Sequence, residues 1–126
     1  MKKRVIKSVS APAAIGPYSQ AVEINGMLFV SGQLGIDRTT GKLVEGGVAG
    51  QAEQVLKNVG EILKEAGYDY SNVVKTTCFL TDMSDFMEMN KVYGMVYTEN
   101  QPARSTVAVK GLPMGALVEI ETIAVK

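Results

Sequence analysis

Two stretches of the chain limit its fold more than any other feature. Met27–Val30 and Val73–Leu80 read as strands, and both carry apolar residues on both of their faces. Such strands belong in a sheet that is covered on both sides. The rest of the chain predicts two helices, which can cover only one face of the sheet. Another copy of the chain is the simplest cover for the second face. The pattern therefore predicts an obligate homo-oligomer with that face as its interface.

Both helices are predicted from a change to a 3.6-residue period. After Gly46-Gly47, a helix of about five turns runs to Gly67, a residue type that favours a helix end. Ser84 is the predicted cap of a second helix, which ends near Asn100. The apolar stripe of this second helix consists of Phe86, Met89, Tyr93, Val96 and Tyr97. Asn90 lies near the stripe but outside it, as a surface residue or as one that reaches a site.

The remaining segments predict further strands. Asn25-Gly26 predicts a tight turn that joins Ala21–Ile24 to the following strand as a hairpin, and Arg4–Lys7 predicts a short edge strand. The order strand, long helix, strand predicts a right-handed crossover with local parallel pairing. The expected fold class is α/β (α+β): a single domain, residues 1–126, with a six-stranded mixed sheet and two helices on one face.

The last predicted hairpin, Pro102–Val109 with Leu117–Ile123, holds the candidate residues for chemistry. If the apolar faces of the two strands match, Arg104 emerges on the opposite side together with Glu119 or Glu121. A guanidinium can grip a carboxylate in a two-point fork, and a carboxylate can orient or deprotonate water. The pair suits a small anionic substrate that is attacked by water. A structural cross-strand ion pair is the alternative that the hairpin alone leaves open.

The composition narrows the chemistry. The chain contains no histidine and a single cysteine, Cys78, so nucleophile–histidine arrangements and an internal disulfide are excluded. Cys78 is best interpreted as a small buried core residue. The formal net charge is zero and no run of apolar residues is long enough to cross a bilayer, so neither nucleic acid nor a membrane is an expected partner. The expected location is the cytoplasm.

Tyr18 and Ser31 are further candidates from irregular segments. Tyr18 stands in the loop from Ser10 to Gln20, where it either lines a site or packs the loop onto the body. Ser31 ends a strand, where it is either a hydroxyl donor at a site or a turn residue. The nearby glycines do not form a dinucleotide-binding signature that leads into a helix.

Five separated motifs resemble the reactive-intermediate (imine) deaminase family, RidA, also called YjgF. The motifs are Ala14–Ala21 (AIGPYSQA), Val30–Gln33 (VSGQ), Val74–Thr77 (VKTT), Pro102–Ser105 (PARS) and Val118–Glu121 (VEIE). The resemblance covers nearly the whole chain in the family's order and spacing. It implies a chorismate-mutase-like fold, a homotrimer with three clefts between subunits, and hydrolysis of 2-imino acids to 2-keto acids and ammonia. It implies substrates such as 2-iminobutanoate and 2-iminopropanoate, released by pyridoxal-phosphate-dependent dehydratases, and no cofactor for the deaminase itself.

The resemblance also implies roles for individual residues. Arg104 would bind the substrate carboxylate, Glu119 would position or activate water, and the backbone of Thr106 would hydrogen-bond the imine nitrogen or the water. The other residues implied to line the cleft are Tyr18, Ser31 and Asn90. Many relatives have cysteine at the position of Thr106, and the segment from Tyr97 to Pro102 is shorter than in some relatives.

Two alternatives of other classes accompany the deaminase hypothesis. One is a non-catalytic ligand-binding or regulatory trimer, since members of the family are linked to translation inhibition, ribonuclease activity and chaperoning. The neutral net charge counts against nucleic acid. The other is a mutase that acts on a cyclic dicarboxylate, suggested only by analogy of fold.

Overall fold

A computed structural model describes residues 2–126 as one six-stranded sheet with two α-helices packed on one face and a small two-stranded hairpin. The sheet order is β1-β2-β3-β8-β6-β7. Its strands are β1 Arg4–Ile6, β2 Ala21–Ile24, β3 Met27–Leu34, β6 Val73–Leu80, β7 Ala103–Ala108 and β8 Val118–Val125. The hairpin consists of β4 Ile36–Asp37 and β5 Lys42–Leu43. The predicted fold class is confirmed.

The first helix matches its prediction and the second is shorter than predicted. Helix α1 spans Gly47–Ala66 and ends at Gly67, whose φ of 85° requires the left-handed region that glycine favours. Helix α2 spans Phe86–Val96, so its predicted end near Asn100 was wrong. Ser84 is not its cap, because a short 3₁₀ turn precedes α2. Asp82 caps that turn by accepting a hydrogen bond from the Ser84 N–H at 2.9 Å.

The predicted hairpin of the last two strands is absent. Strand β7 pairs with β6 in parallel, whereas β8 lies between β3 and β6 and is antiparallel to both. Helix α2 therefore connects two parallel neighbours, β6 and β7. The strands that α1 connects, β3 and β6, are not neighbours, because β8 lies between them. Burial explains the order: Val118, Ile120 and Ala124 of β8 are fully buried, as a central strand requires, while β7 buries no residue fully.

The two faces of the sheet differ in cover. Both helices pack on one face, where Leu28, Cys78, Leu80 and Ile120 form part of a contiguous core. The other face leaves apolar side chains open to solvent: Met27, Phe29, Val107 and Val125 are each about two-fifths exposed. This is the uncovered face from which an oligomer was predicted, and oligomerisation stays a prediction. Within residues 2–126, no helix combines the length and the apolar character needed to span a bilayer.

Candidate active site

The structure divides the six candidate residues into two groups on different parts of the sheet. Tyr18, Ser31 and Glu119 line one cavity of about 750 Å³ at the end of β3, together with Gly32 and apolar side chains of the neighbouring loops. Arg104, Thr106 and Asn90 do not line this cavity. They lie on β7 and α2, the elements at the far edge of the sheet.

The loop that carries Tyr18 is fastened by the buried side chain of Gln20. Its amide oxygen accepts a hydrogen bond from the Ser8 N–H at 2.6 Å, and its amide nitrogen donates to the Pro12 carbonyl at 2.8 Å. The Ser31 hydroxyl donates to the Ser19 carbonyl at 2.6 Å and so ties β3 to the same loop. Tyr18 remains half exposed at the cavity. Sequence reasoning overlooked Gln20, whose only signal was a polar residue directly before a buried strand.

Glu119 is a half-buried carboxyl group at the wall of the cavity. Burial raises the pKa of its carboxyl above the ordinary value, and the neighbouring Glu121 charge raises that pKa further. Its carboxylate occupies space that exists only because residue 32 is glycine. A Cβ atom on Gly32 would lie 2.8 Å from Glu119 Cδ and would collide with Oε2. Glu121 also lines the cavity but is exposed, so the structure favours Glu119 of the two candidates.

Among residues 2–126, Arg104 has no acidic partner. Its Cζ atom lies over the ring of Tyr93 at 4.7 Å and over that of Phe86 at 5.5 Å from the centroids. The ion pair found among residues 2–126 joins Arg4 to Glu23, far along the sheet. A structural ion pair between Arg104 and a glutamate of β8 is therefore not formed within the chain.

The predicted emergence of Arg104 and Glu119 on one side of the sheet was wrong. Arg104 is the register partner of Thr76, which pairs in turn with Thr122, so these residues share the face that the helices cover. Glu119 is the register partner of Phe79 and points to the open face. The prediction failed because it matched the apolar faces of the two strands, whereas Val107 of β7 lies on the open face and Ile120 of β8 on the helix-covered face.

Thr106 and Asn90 accompany Arg104 on the helix-covered side. Thr106 Oγ1 is buried and has no hydrogen-bond partner among residues 2–126. Asn90 stands at position i+4 from Phe86 and i−3 from Tyr93, which places it within the stripe that contacts Arg104 and not beside it. Sequence reasoning underestimated Asn90 because a polar residue was not counted in an apolar stripe.

The lone cysteine lies in the same region and is a core residue, as interpreted from the sequence. Burial raises the pKa of the Cys78 thiol to about 11, with the Arg104 charge acting in the opposite direction. Since a thiolate is the reactive form, a thiol with this pKa is a poor nucleophile at neutral pH. The groups available for chemistry are therefore the guanidinium of Arg104 on the helix-covered side and the carboxyl group of Glu119, whose pKa is raised, at the cavity.

Comparison with known proteins gives one family. The family model described as endoribonuclease L-PSP matches residues 8–126. A 2-iminobutanoate/2-iminopropanoate deaminase from Mus musculus is 52% identical over 124 residues, which cover 98% of this chain and 92% of the mouse protein.

Solved structures agree over the whole fold. A protein of the conserved Rid protein family from Yersinia pestis is 47% identical, with a TM-score of 0.94 and coverage of 99% of this chain and all of that chain. TdcF from E. coli, solved with bound serine, is 40% identical, with a TM-score of 0.92 and coverage of 98% of both chains.

Proposed function

The chain belongs to the endoribonuclease L-PSP family, the imine deaminase family that its motifs resemble, and from this premise we propose that it is a hydrolytic 2-imino acid deaminase. Its substrates are 2-iminobutanoate and 2-iminopropanoate, the reactive products of pyridoxal-phosphate-dependent dehydratases, and it acts in the cytoplasm. The premise rests on the family match over residues 8–126 and on the mouse deaminase at 52% identity.

One observation carries the proposal: the guanidinium of Arg104 lies on aromatic rings and has no carboxylate partner in the part of the chain that the structure describes. A partly buried arginine that has no anionic partner can bind an anion, and its planar pair of N–H donors matches the two oxygens of a carboxylate. A 2-imino acid carries its carboxylate next to the reacting carbon. The serine bound to the E. coli relative also carries a carboxylate.

We place the complete site between two subunits of a homotrimer. Within one chain, Arg104 and Glu119 face opposite sides of the sheet, so neither can act on a substrate held by the other. The open, apolar sheet face needs a cover, and β7 is an edge strand with a free outer side. A cyclic trimer brings the β7 edge of one copy to the cavity of the next. Each cleft then combines Arg104, Thr106 and Asn90 of one subunit with Tyr18, Ser31 and Glu119 of its neighbour.

The mechanism needs no covalent enzyme nucleophile. Arg104 binds the substrate carboxylate, and the backbone of Thr106 holds the imine nitrogen or the attacking water. Ionised Glu119 orients a water molecule and takes its proton as the oxygen adds to the imine carbon. Glu119 passes this proton to the nitrogen. The hydroxyl proton of the resulting carbinolamine follows to the nitrogen as the C–N bond breaks and the C=O bond forms, so that imine plus water yields 2-keto acid plus ammonia. Holding carboxylate and water in reacting geometry supplies much of the modest acceleration needed, because an imine carbon is already electrophilic.

A threonine dehydratase assay tests the proposal. The dehydratase releases 2-iminobutanoate, and the rate of 2-ketobutanoate formation is compared with and without this protein, after subtraction of spontaneous hydrolysis. We expect a clear acceleration by the wild-type protein, its loss in Glu119→Gln, and its persistence in the matched control Glu121→Gln. Absence of any acceleration by the wild type would refute the deaminase. Cleavage of RNA by the same preparation would favour the activity named in the family description instead.

A further inference from the structure

Two aromatic rings lie against the guanidinium of Arg104, which forms no ion pair within the described residues. Tyr93 lies closer, with 4.7 Å between Arg104 Cζ and its ring centroid, and Phe86 lies at 5.5 Å. A cation held over a ring face is attracted without giving up its hydrogen-bond donors. A carboxylate in the same place would occupy those donors and compete with a bound anion.

Tyr93 is itself fixed by the strand next to Arg104. Its hydroxyl and Thr76 Oγ1 are 2.7 Å apart, and both residues are buried. Thr76 is the register partner of Arg104 in the parallel pair of β6 and β7. Each of the three residues therefore contacts the other two: Arg104 pairs with Thr76 through the backbone, Thr76 shares a buried hydrogen bond with Tyr93, and the Tyr93 ring lies under the guanidinium. These contacts restrict rotation of the guanidinium away from the ring.

We propose that Tyr93 is a positioning residue, which fixes the plane of the Arg104 guanidinium so that its N–H donors meet the substrate carboxylate already oriented. Phe86 gives weaker support from the preceding part of α2. The inference rests on the proposed function, because it assigns a role to Arg104 as the carboxylate ligand. It concerns binding, so it predicts that loss of the ring weakens affinity more than it slows turnover.

The test replaces the ring and measures binding separately from turnover. In Tyr93→Leu, we expect KM for enzymatically generated 2-iminobutanoate to rise about 2- to 30-fold, the range that corresponds to one cation–π contact. The dissociation constant for the product 2-ketobutanoate, measured by calorimetry, should rise by a similar factor, with a smaller change in kcat. Tyr93→Phe keeps the ring and should restore most of the affinity, although it melts at a lower temperature because Thr76 loses its partner.

Tyr68 offers a matched control at the opposite edge of the sheet. It is equally buried, its hydroxyl donates to Glu23 Oε2 at 2.7 Å, and Lys126 Nζ lies over its ring at 5.3 Å. Tyr68→Leu therefore removes the same kinds of contact without touching Arg104. We expect it to lower the melting temperature and to leave KM and product affinity unchanged.

The outcomes separate this inference from the proposed function. Equal product affinity in Tyr93→Leu and Tyr68→Leu would overturn the positioning role, and so would a loss of affinity in Tyr93→Phe as large as in Tyr93→Leu. If Tyr93→Leu does not fold, Phe86→Leu takes its place with a smaller rise in both constants, and no rise would overturn the role. A wild type that binds 2-ketobutanoate but clears no imine would end the proposed function while the affinity series still decides the inference. A wild type that neither clears the imine nor binds the 2-keto acid would end both.

Discussion

Replacement of Arg104 by lysine distinguishes a substrate clamp from a merely structural cation. Lysine keeps the positive charge and can still lie near the ring of Tyr93, but it lacks the planar pair of N–H donors. Since Arg104 forms no ion pair with any of the described residues 2–126, Arg104→Lys breaks no salt bridge among them, and the fold should persist. Two charge-assisted hydrogen bonds at about 1.5–3 kcal/mol each correspond to a loss of roughly 10²- to 10⁴-fold in kcat/KM, less whatever lysine recovers.

The assay is 2-ketobutanoate formation coupled to threonine dehydratase, run beside sedimentation and thermal melts. Arg4→Lys is the matched control, because Arg4 forms an exposed ion pair with Glu23 at 2.9 Å. Exposed pairs contribute only about 0–1 kcal/mol, so the control should keep full activity and nearly full stability. Arg104→Ala should be less active than Arg104→Lys. Near-normal kcat/KM in an intact Arg104→Lys protein would refute the clamp and the mechanism built on it.

Three further predictions concern the other half of the site and the core. Gly32→Ala should abolish deaminase activity with little loss of folded protein, because its Cβ displaces the Glu119 carboxylate; an active, folded variant in the coupled assay would contradict this placement. The acid limb of kcat/KM should lie above the pH at which an ordinary glutamate titrates, with activity lost as pH falls through the raised pKa of Glu119. Glu121→Gln should shift that limb to lower pH, since it removes the repulsion, and an unmoved limb would show that Glu119 is not the titrating group. Tyr97→Phe should raise the free energy of unfolding by about 1 kcal/mol in denaturant titrations, because it removes a buried hydroxyl that has no hydrogen-bond partner within residues 2–126, whereas destabilisation would reveal a partner for it.

The helices and strands were largely predictable because each leaves a local pattern. Helix α1 shows a sustained 3.6-residue period of apolar side chains and ends at Gly67. The turn at Asn25-Gly26 is predicted by these two adjacent residues alone. The order of strands leaves no such local signal. The insertion of β8 between β3 and β6 depends on which strand buries more surface. The prediction took β7 and β8, which are consecutive in sequence, as neighbours in the sheet.

The residue types of the candidate site were predictable, and their arrangement was not. Motifs identified Arg104, Glu119 and Tyr18, but the apolar faces of β7 and β8 were taken to match, which put the first two residues on one face. Glycine at position 32 and Gln20 have their effects through contacts made 8 or more residues away in sequence, so local patterns could not reveal them. A subunit boundary near the site was expected from the sequence for another reason, the uncovered sheet face, and it stays a prediction.

The central claim is that Arg104 and Glu119 meet only across a subunit boundary, and co-expression of two inactive variants tests it most directly. Arg104→Ala and Glu119→Gln are produced together, purified as mixed oligomers and assayed for 2-iminobutanoate hydrolysis beside each variant alone. In a randomly mixed cyclic trimer, each cleft has roughly one chance in four of combining an intact Arg104 with an intact Glu119. We therefore predict recovery of about a quarter of the wild-type activity. Activity no higher than that of the separate variants, in oligomers shown to contain both chains, would contradict the shared site.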